Sequence, residues 1–200
     1  MDDQHYFSSD PTVAARSRSV PLTVAGRRIT VRTASGVFSA DRLDLGTAVL
    51  LKHLPAPPPR GDLLDLGCGW GPLTLQMAAS APGARVWAVD VNSRALELTA
   101  RNAADQGRSN VRCALPQDVP PEIRFAAIWS NPPIRIGKPA LHELLRLWLG
   151  RLAPEGLAHL VVQRNLGADS LQRWIAEEFT DLEVRKAASS KGYRVLRVAR

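Results

Sequence analysis

The residues from Asp65 to Gly71 form the clearest ligand-binding pattern in this chain. They read Asp-Leu-Gly-Cys-Gly-Trp-Gly, end an apolar stretch typical of a strand, and precede Pro72. Proline is favoured at the first position of a helix, so the pattern predicts a strand, a tight turn and a helix. Glycines at such a turn let a ligand approach the backbone closely. We therefore expect Gly67, Gly69 and Gly71 to form a binding loop.

A second acid, Asp90, follows the next predicted strand, Arg85–Val89. A carboxylate there can accept hydrogen bonds from both ribose hydroxyls of an adenosine. Dinucleotide-binding enzymes favour the spacing G-x-G-x-x-G, where a helix N-terminus meets a pyrophosphate. Here the spacing is G-x-G-x-G and Asp65 precedes it, which suits the ammonium group of S-adenosylmethionine, directly or through water. The alternative is that Asp65 only caps the loop.

The third predicted strand, Val111–Cys113, is followed by one more candidate for the cofactor site. An acid at this place often contacts the adenine amino group in folds of this type. Asp118 is the only acid of the segment and is assigned that contact, while Gln117 remains an alternative because the register is open.

The motif Asn131-Pro132-Pro133-Ile134 ends the fourth predicted strand, Phe125–Ser130. In open α/β sheets, ligands bind at the carboxyl ends of the strands. An aromatic amino group is a poor nucleophile, and the Asn131 oxygen with a neighbouring backbone carbonyl can hold it so that its lone pair points at a sulfonium methyl group. The prolines fix φ and offer no competing N–H donors. The motif predicts methylation of an exocyclic amino nitrogen, although Asn-Pro-Pro alone also makes a sharp strand exit.

Strand and helix patterns alternate after the proline-rich segment 55–61, which predicts a parallel sheet covered by helices on both faces. Ser93 and Asp169 stand where helix N-caps are expected. The last two predicted strands, Leu182–Arg185 and Tyr193–Val198, are joined too closely for a crossover and must be antiparallel. The expected fold is α/β: a class I, Rossmann-like methyltransferase with a mostly parallel seven-stranded sheet and a C-terminal antiparallel hairpin. Residues 1–60 are expected to form a small β-hairpin arm that packs on the methyltransferase domain, residues 61–200.

These motifs resemble the methyltransferase small-domain family, whose best-known members are bacterial ribosomal RNA guanine-N2 methyltransferases. Besides the glycine loop and Asp90, the resemblance rests on three segments: Gly36–Ser39 with Leu43–Thr47, Asn131–Lys138, and Ser190–Val195. It covers most of the chain, in a single-domain form. Two features depart from the family pattern: the second, degenerate domain copy of the well-studied enzymes is missing, and Ile134 replaces an aromatic residue often found after Asn-Pro-Pro.

The resemblance implies S-adenosylmethionine as cofactor and guanine N2 of ribosomal RNA as target, with ribosomal RNA or a ribosomal subunit as partner. Phe38, Arg135, Lys138 and Arg194 are the candidate RNA-binding residues. The net charge of +7 supports a polyanionic partner, although a solvated basic surface explains the charge equally well. Without the second domain copy, substrate docking must differ or use a homodimer.

Three other functions remain open. A protein glutamine-N5 methyltransferase also uses Asn-Pro-Pro, usually followed by tyrosine. A DNA adenine-N6 methyltransferase usually carries a separate target-recognition domain. The third alternative, a non-catalytic binding module with the same fold, is disfavoured because Asp65, Asp90 and Asn131 are intact.

Composition predicts a cytoplasmic protein. No apolar run approaches the ~20 residues that span a bilayer, and the first residues, Met1–His5, do not form a secretory signal. Two cysteines, Cys68 and Cys113, are too few for a disulfide framework or a metal cluster, so no metal is expected.

Overall fold

The computed structural model describes residues 17–200 of the chain. This part contains nine strands and five α-helices, joined by turns and loops. The strands are β1 (Ser17–Val24), β2 (Arg27–Ala34), β3 (Asp62–Leu66), β4 (Arg85–Val89), β5 (Val111–Ala114), β6 (Phe125–Ser130), β7 (Leu152–Gln163), β8 (Glu183–Ser190) and β9 (Tyr193–Ala199). The helices are α1 (Leu45–His53), α2 (Pro72–Ser80), α3 (Ser93–Asp105), α4 (Lys138–Leu149) and α5 (Ala168–Glu178). None of these helices is long and apolar enough to cross a membrane.

Seven of the strands form one sheet in the order β5-β4-β3-β6-β7-β9-β8. The first five of them are parallel, whereas β9 is antiparallel to both of its neighbours, β7 and β8. Lys191 and Gly192 connect β8 to β9 with positive φ angles of 50° and 81°, a two-residue turn that suits a hairpin. The predicted α/β fold, with its mostly parallel sheet and closing antiparallel hairpin, is confirmed.

Helices cover both faces of this sheet because neighbouring strand residues point to opposite sides. Leu64 belongs to a core formed with α4 and α5, in which Leu145, Trp148 and Ile175 are fully buried. Leu63, the preceding residue, belongs to a second core formed with α1 and α2. The two cores hold the central strands rigidly, so the loops at the ends of these strands have fixed positions.

The arm contributes a two-stranded antiparallel sheet, β1 and β2, which packs on α2 and α3. Alternate residues of β1 face inwards: Val20, Leu22 and Val24 are buried. The Asn102 side chain in α3 bonds both the backbone N–H and the carbonyl of Arg32 in β2, each at 2.8 Å. Residues 1–16 lie outside the described residues, and with them the segment Met1–His5, which is predicted not to be a secretory signal. The division between arm and domain at residue 60 remains a prediction.

Several boundaries differ from the sequence-based expectations. The N-cap of α3 is Asn92 rather than Ser93, because the Asn92 side chain reaches the N–H groups of Arg94 and Ala95. Helix α5 begins after Gly167, whose φ is 99°, so Asp169 lies inside the first turn and is not the cap. Strand β7 begins five residues earlier than expected, at Leu152.

Strand β7 contains a buried titratable side chain, His159. His159 in β7 lies between Trp129 of β6 and Arg197 of β9, with 3% of its surface exposed. Its Nδ1 atom has no hydrogen-bond partner among the described residues. Burial, assisted by the Arg197 charge, lowers the pKa of His159 to about 4. The imidazole is therefore neutral at pH 7 and part of the core.

Acid should destabilise the fold through His159. The unfolded chain has the ordinary histidine pKa of about 6.5 and takes up the proton first, so stability falls as the pH drops from about 6.5 to 4. The loss at His159 should reach roughly 3 kcal/mol. Urea unfolding of wild type and His159→Gln at pH 7, 5.5 and 4 measures it, because other acid-sensitive groups cancel in the difference. Parallel stability curves for the two proteins would contradict the assignment.

Candidate functional site

A cleft of about 470 Å³ opens at the carboxyl ends of the central strands. Its walls are the glycine loop after β3, residues Asp90–Asn92 after β4, Asn131–Arg135 after β6, and Gln163 at the end of β7. The arm forms the remaining wall of the cleft with residues 37–39 and with the residues at the start of α1. The sequence-predicted residues Phe38, Asp65, Gly67, Gly69, Asp90, Asn131, Pro132, Pro133, Ile134 and Arg135 all line this one cleft.

The glycine loop is bound tightly to the neighbouring strand. The N–H groups of Gly67 and Cys68 donate to the Val89 carbonyl at 2.8 and 3.1 Å. A Cβ atom on Gly67 or Gly69 would meet nothing within 4 Å, so the loop backbone faces open space there. Gly71 does not line the cleft: its φ is 94°, and a Cβ atom would lie 3.0 Å from the Thr99 hydroxyl oxygen of α3. Close packing of the loop against α3 explains the third glycine.

Asp65 is fully buried at the end of β3. Its Oδ2 atom accepts two hydrogen bonds from Thr74 in α2, from the N–H at 2.8 Å and from the hydroxyl at 2.6 Å. Its Oδ1 atom has no partner among the described residues. Burial raises the pKa of Asp65 to about 7, the negative charge of Asp90 adds to the shift, and the Thr74 bonds oppose it. One oxygen therefore holds α2 in place, and the other is buried without a partner among the described residues.

Asp90 is held by backbone N–H groups on both of its carboxylate oxygens. Oδ2 accepts from Gly69 at 2.9 Å and Oδ1 accepts from Asn92 at 3.0 Å. Burial raises the pKa of Asp90, and these bonds oppose that shift. A carboxylate offers about four lone-pair directions, so each oxygen keeps capacity for one further donor.

Asn131 follows β6 and is anchored to the beginning of α1. Its Nδ2 group donates to Asp44 Oδ2 at 2.8 Å and to Thr47 Oγ1 at 3.0 Å. An amide nitrogen has two hydrogens, so both are used. The side-chain carbonyl oxygen is the atom left to meet a ligand in the cleft.

The predicted RNA-binding residues occupy different surroundings. Phe38, with 47% of its surface exposed, and Ile134 give the cleft two apolar walls. Lys138 is exposed at the first position of α4, next to the cleft-lining Arg135. Arg194 is different: only 13% of its side chain is exposed, and it forms an ion pair with Asp169 of α5.

Neither candidate for the adenine contact lines the cleft. Gln117 and Asp118 are both exposed in the short 3-10 turn Pro116–Asp118, and Pro116 is the residue of this turn that reaches the cleft. The adenine contact of Asp118 remains a prediction.

Asp44, Thr47, Gln163 and Tyr193 are among the cleft residues that received no role from the sequence. Asp44 had a recognisable signal, since an aspartate before an apolar run is typical of an N-cap, and its Oδ2 atom does accept from the Thr47 N–H at 2.9 Å. Tyr193 packs so closely that a Cβ atom on Gly46 would lie 2.9 Å from its ring. Gln163 carries no local signal.

Comparison with known proteins identifies the family. Residues 28–197 match the methyltransferase small domain. The chain belongs to this family. It is accordingly an S-adenosylmethionine-dependent methyltransferase.

Individual relatives differ in how much of their length the chain spans. YbxB of Bacillus subtilis, described as uncharacterised, is 32% identical over 197 residues, covering 97% of both chains. The ribosomal RNA small subunit methyltransferase C of Aeromonas hydrophila is 40% identical over 131 residues, which are 64% of this chain and 37% of that protein. A T. thermophilus 16S rRNA N2 methyltransferase, RsmC, solved with AdoMet and guanosine, has a TM-score of 0.79 and 24% identity and covers 95% of this chain and 52% of that one. The chain thus spans about half or less of these RNA methyltransferases.

Proposed function

We propose that this methyltransferase acts on an exocyclic amino nitrogen and that the target is N2 of a guanine in ribosomal RNA. The observation that carries the proposal is that Asn131 lines the cleft of the glycine loop and Asp90 while Asp44 and Thr47 accept from its Nδ2 group, which leaves its carbonyl oxygen for a ligand. An acceptor suits a substrate that donates an N–H. The relatives named as ribosomal RNA methyltransferases support the choice of RNA.

The cleft residues fit S-adenosylmethionine, which supplies an activated methyl group when bound. Asp65 Oδ1 can accept from the ammonium group, and the backbone of Gly67 and Gly69 allows close approach. Asp90 can accept from the two ribose hydroxyls, and the neighbouring Val91, 42% exposed, offers an apolar surface to the adenine. Asp118 or Gln117 would have to reach the adenine amino group from the rim of the cleft.

The proposed reaction is a direct displacement. The target nitrogen donates one N–H to the Asn131 oxygen, and its lone pair forms the new N–C bond while the S–C bond breaks. The positive charge moves from sulfur to nitrogen, and the nitrogen then releases a proton to water. A strongly acidic intermediate of this kind needs no enzymatic base.

The substrate base must leave its stack to enter the cleft, at a cost of a few kcal/mol. Ile134 can cover one face of the extruded ring and Phe38 the other. Arg135 and Lys138 are proposed to hold the flanking phosphates, whereas Arg194, whose side chain is 13% exposed and paired with Asp169, is a weaker candidate for the same role. A ribosomal substrate implies a cytoplasmic protein. The homodimer remains a prediction.

Cofactor affinity should depend on pH through Asp65. With a pKa of about 7 in the free protein, Asp65 is increasingly protonated below pH 7, and the ammonium group needs the ionised form. Affinity should therefore fall as the pH drops from 7 to 5.5, up to about tenfold per unit. Calorimetry with S-adenosylhomocysteine measures this. The control ligand is 5′-methylthioadenosine, which lacks the amino acid part, and an identical pH dependence for both ligands would contradict the role.

Asn131→Ala should abolish most turnover, because it removes the acceptor that aligns the nucleophile. We expect a loss of about 10²–10³-fold in the methylation rate, as for other preorganised polar groups, with cofactor affinity unchanged. The loss of both Nδ2 bonds should also lower stability by about 1–2 kcal/mol, so rates are measured well below the unfolding temperature. Asn165→Ala, an exposed asparagine after β7, is the matched control.

Nucleoside analysis of treated RNA decides the substrate. Purified protein and labelled cofactor are incubated with ribosomal RNA, and separately with ribosomal subunits, from a strain that lacks the protein. N2-methylguanosine formed by wild type and not by Asn131→Ala supports the proposal. N6-methyladenosine, or label found in ribosomal protein alone, would refute the guanine assignment and leave the methyltransferase itself intact.

Lys138→Ala should weaken RNA binding and reduce its salt dependence. Loss of one phosphate contact lowers the slope of log affinity against log salt by about one. Lys186→Ala removes the same charge from the edge strand β8 and should leave the slope unchanged. Fluorescence titrations between low and physiological salt provide the comparison, and equal slopes for both variants would remove Lys138 from the interface.

A further inference from the structure

The side-chain amide of Asn131 has two nearly isosteric orientations, and only one of them serves the proposed reaction. With the carbonyl towards the cleft, it accepts an N–H from the target amine. Rotated by 180°, it would present its own N–H groups to a substrate that also donates. Neighbouring groups must therefore select the orientation of the Asn131 amide. The inference depends on the proposed function only for the identity of the target amine.

The selecting groups lie at the start of α1, 84 and 87 residues before Asn131 in the chain. Asp44 Oδ2 already accepts the Thr47 N–H at 2.9 Å, and the Asn131 amide turns its nitrogen towards this acceptor, with a contact of 2.8 Å. The reverse orientation would put two acceptor oxygens at that distance. Thr47 Oγ1, which lies 3.5 Å from the same carboxylate oxygen, takes the second hydrogen of the amide.

The surrounding structure holds Asp44 and Thr47 in place. Asp44 is the N-cap of α1 and accepts the Thr47 N–H, while Thr47 itself is 6% exposed. Between them, Gly46 allows the Tyr193 ring to pack where any side chain would clash. The two acceptors therefore belong to a rigid helix start that is packed against Tyr193, the first residue of β9.

We infer that Asp44 and Thr47 are positioning residues that orient the Asn131 amide for methyl transfer. They do not touch the transferred methyl group or the cofactor in this scheme. Their removal should therefore lower kcat and leave the cofactor Kd and the KM for RNA within about threefold. A purely structural link between the arm and β6 would instead affect stability alone.

Variants at Thr47 isolate one of the two bonds. Thr47→Val removes the hydroxyl at constant shape and should lower kcat by about fivefold to tenfold, the value of one hydrogen bond. Thr47→Ser keeps the hydroxyl and should restore the rate. Thr33→Val is the matched control: it removes another buried hydroxyl of the arm, which bonds the Ala40 carbonyl at 2.7 Å and does not touch Asn131.

Variants at Asp44 separate capping from orientation. Asp44→Ser can still cap α1, but its short side chain cannot reach Asn131, so kcat should fall by about 10²-fold. Asp44→Asn keeps an acceptor of the original length and should recover part of the loss. In the Asn131→Ala background, Thr47→Val should have no further effect on kcat, because the group that it orients is gone.

A measurement that needs no activity completes the test. The sequence has five asparagines, so selective ¹⁵N-asparagine labelling gives a simple spectrum of side-chain NH₂ pairs, and Asn131→Ala identifies the pair of interest. Both protons should exchange slowly with water in wild type and in Thr33→Val, and faster in Thr47→Val and Asp44→Ser.

The two measurements distinguish the possible failures. Slow exchange that depends on Asp44 and Thr47, in a protein that leaves ribosomal RNA unmethylated, would support the positioning role and refute the substrate. Unchanged exchange in both variants, or a loss of kcat that Thr33→Val reproduces, would overturn the positioning role whatever the substrate.

Discussion

Leu66 in β3 is level with Val89 of β4 on one side and with Ser130 of β6 on the other. Because of this parallel register, the residues that follow the three strands, Gly67, Asp90 and Asn131, lie side by side at the carboxyl edge of the sheet. Hydrogen bonds secure the arrangement, since the Gly67 N–H donates to Val89 and the buried Ser130 hydroxyl donates to the Leu66 carbonyl at 2.7 Å. The proposed cofactor loop, ribose-binding acid and amine-binding amide can share a cleft because the strands are parallel and aligned.

The cleft has more acidic than basic side chains, whereas the chain as a whole is basic. The cleft holds three acids, Asp44, Asp65 and Asp90, in a protein whose net charge is +7. Buried carboxylates raise one another's pKa, as Asp90 does for Asp65, and this cost is offset when a cation binds. The cofactor carries an ammonium and a sulfonium group, whereas the proposed RNA substrate would meet Arg135 at the cleft and Lys138 beyond it. The cationic cofactor and the proposed anionic RNA would thus be attracted to different groups of side chains.

The sequence predicted elements better than contacts. Strands β4 and β6 begin and end where expected, because each is a short apolar run bounded by polar residues. The N-cap at Asn92 was missed by one residue, since two adjacent polar side chains suit the position and only geometry decides which one reaches the free N–H groups. The Arg194–Asp169 pair and the Asn131–Asp44 bond join residues 25 and 87 positions apart, and no periodicity reveals such partners.

The arm's place in the site follows from bonds that its backbone accepts. The carbonyls of Ser35, Gly36 and Ser39 accept hydrogen bonds from Arg94, Asn92 and Trp70, all at or beside the cofactor loops. The next segment of the arm supplies Asp44, which holds Asn131. The arm therefore contacts the strand end that would bind the cofactor and the strand end that would bind the substrate amine. A shift of the arm would therefore change the surroundings of both strand ends, so the arm is part of the candidate site.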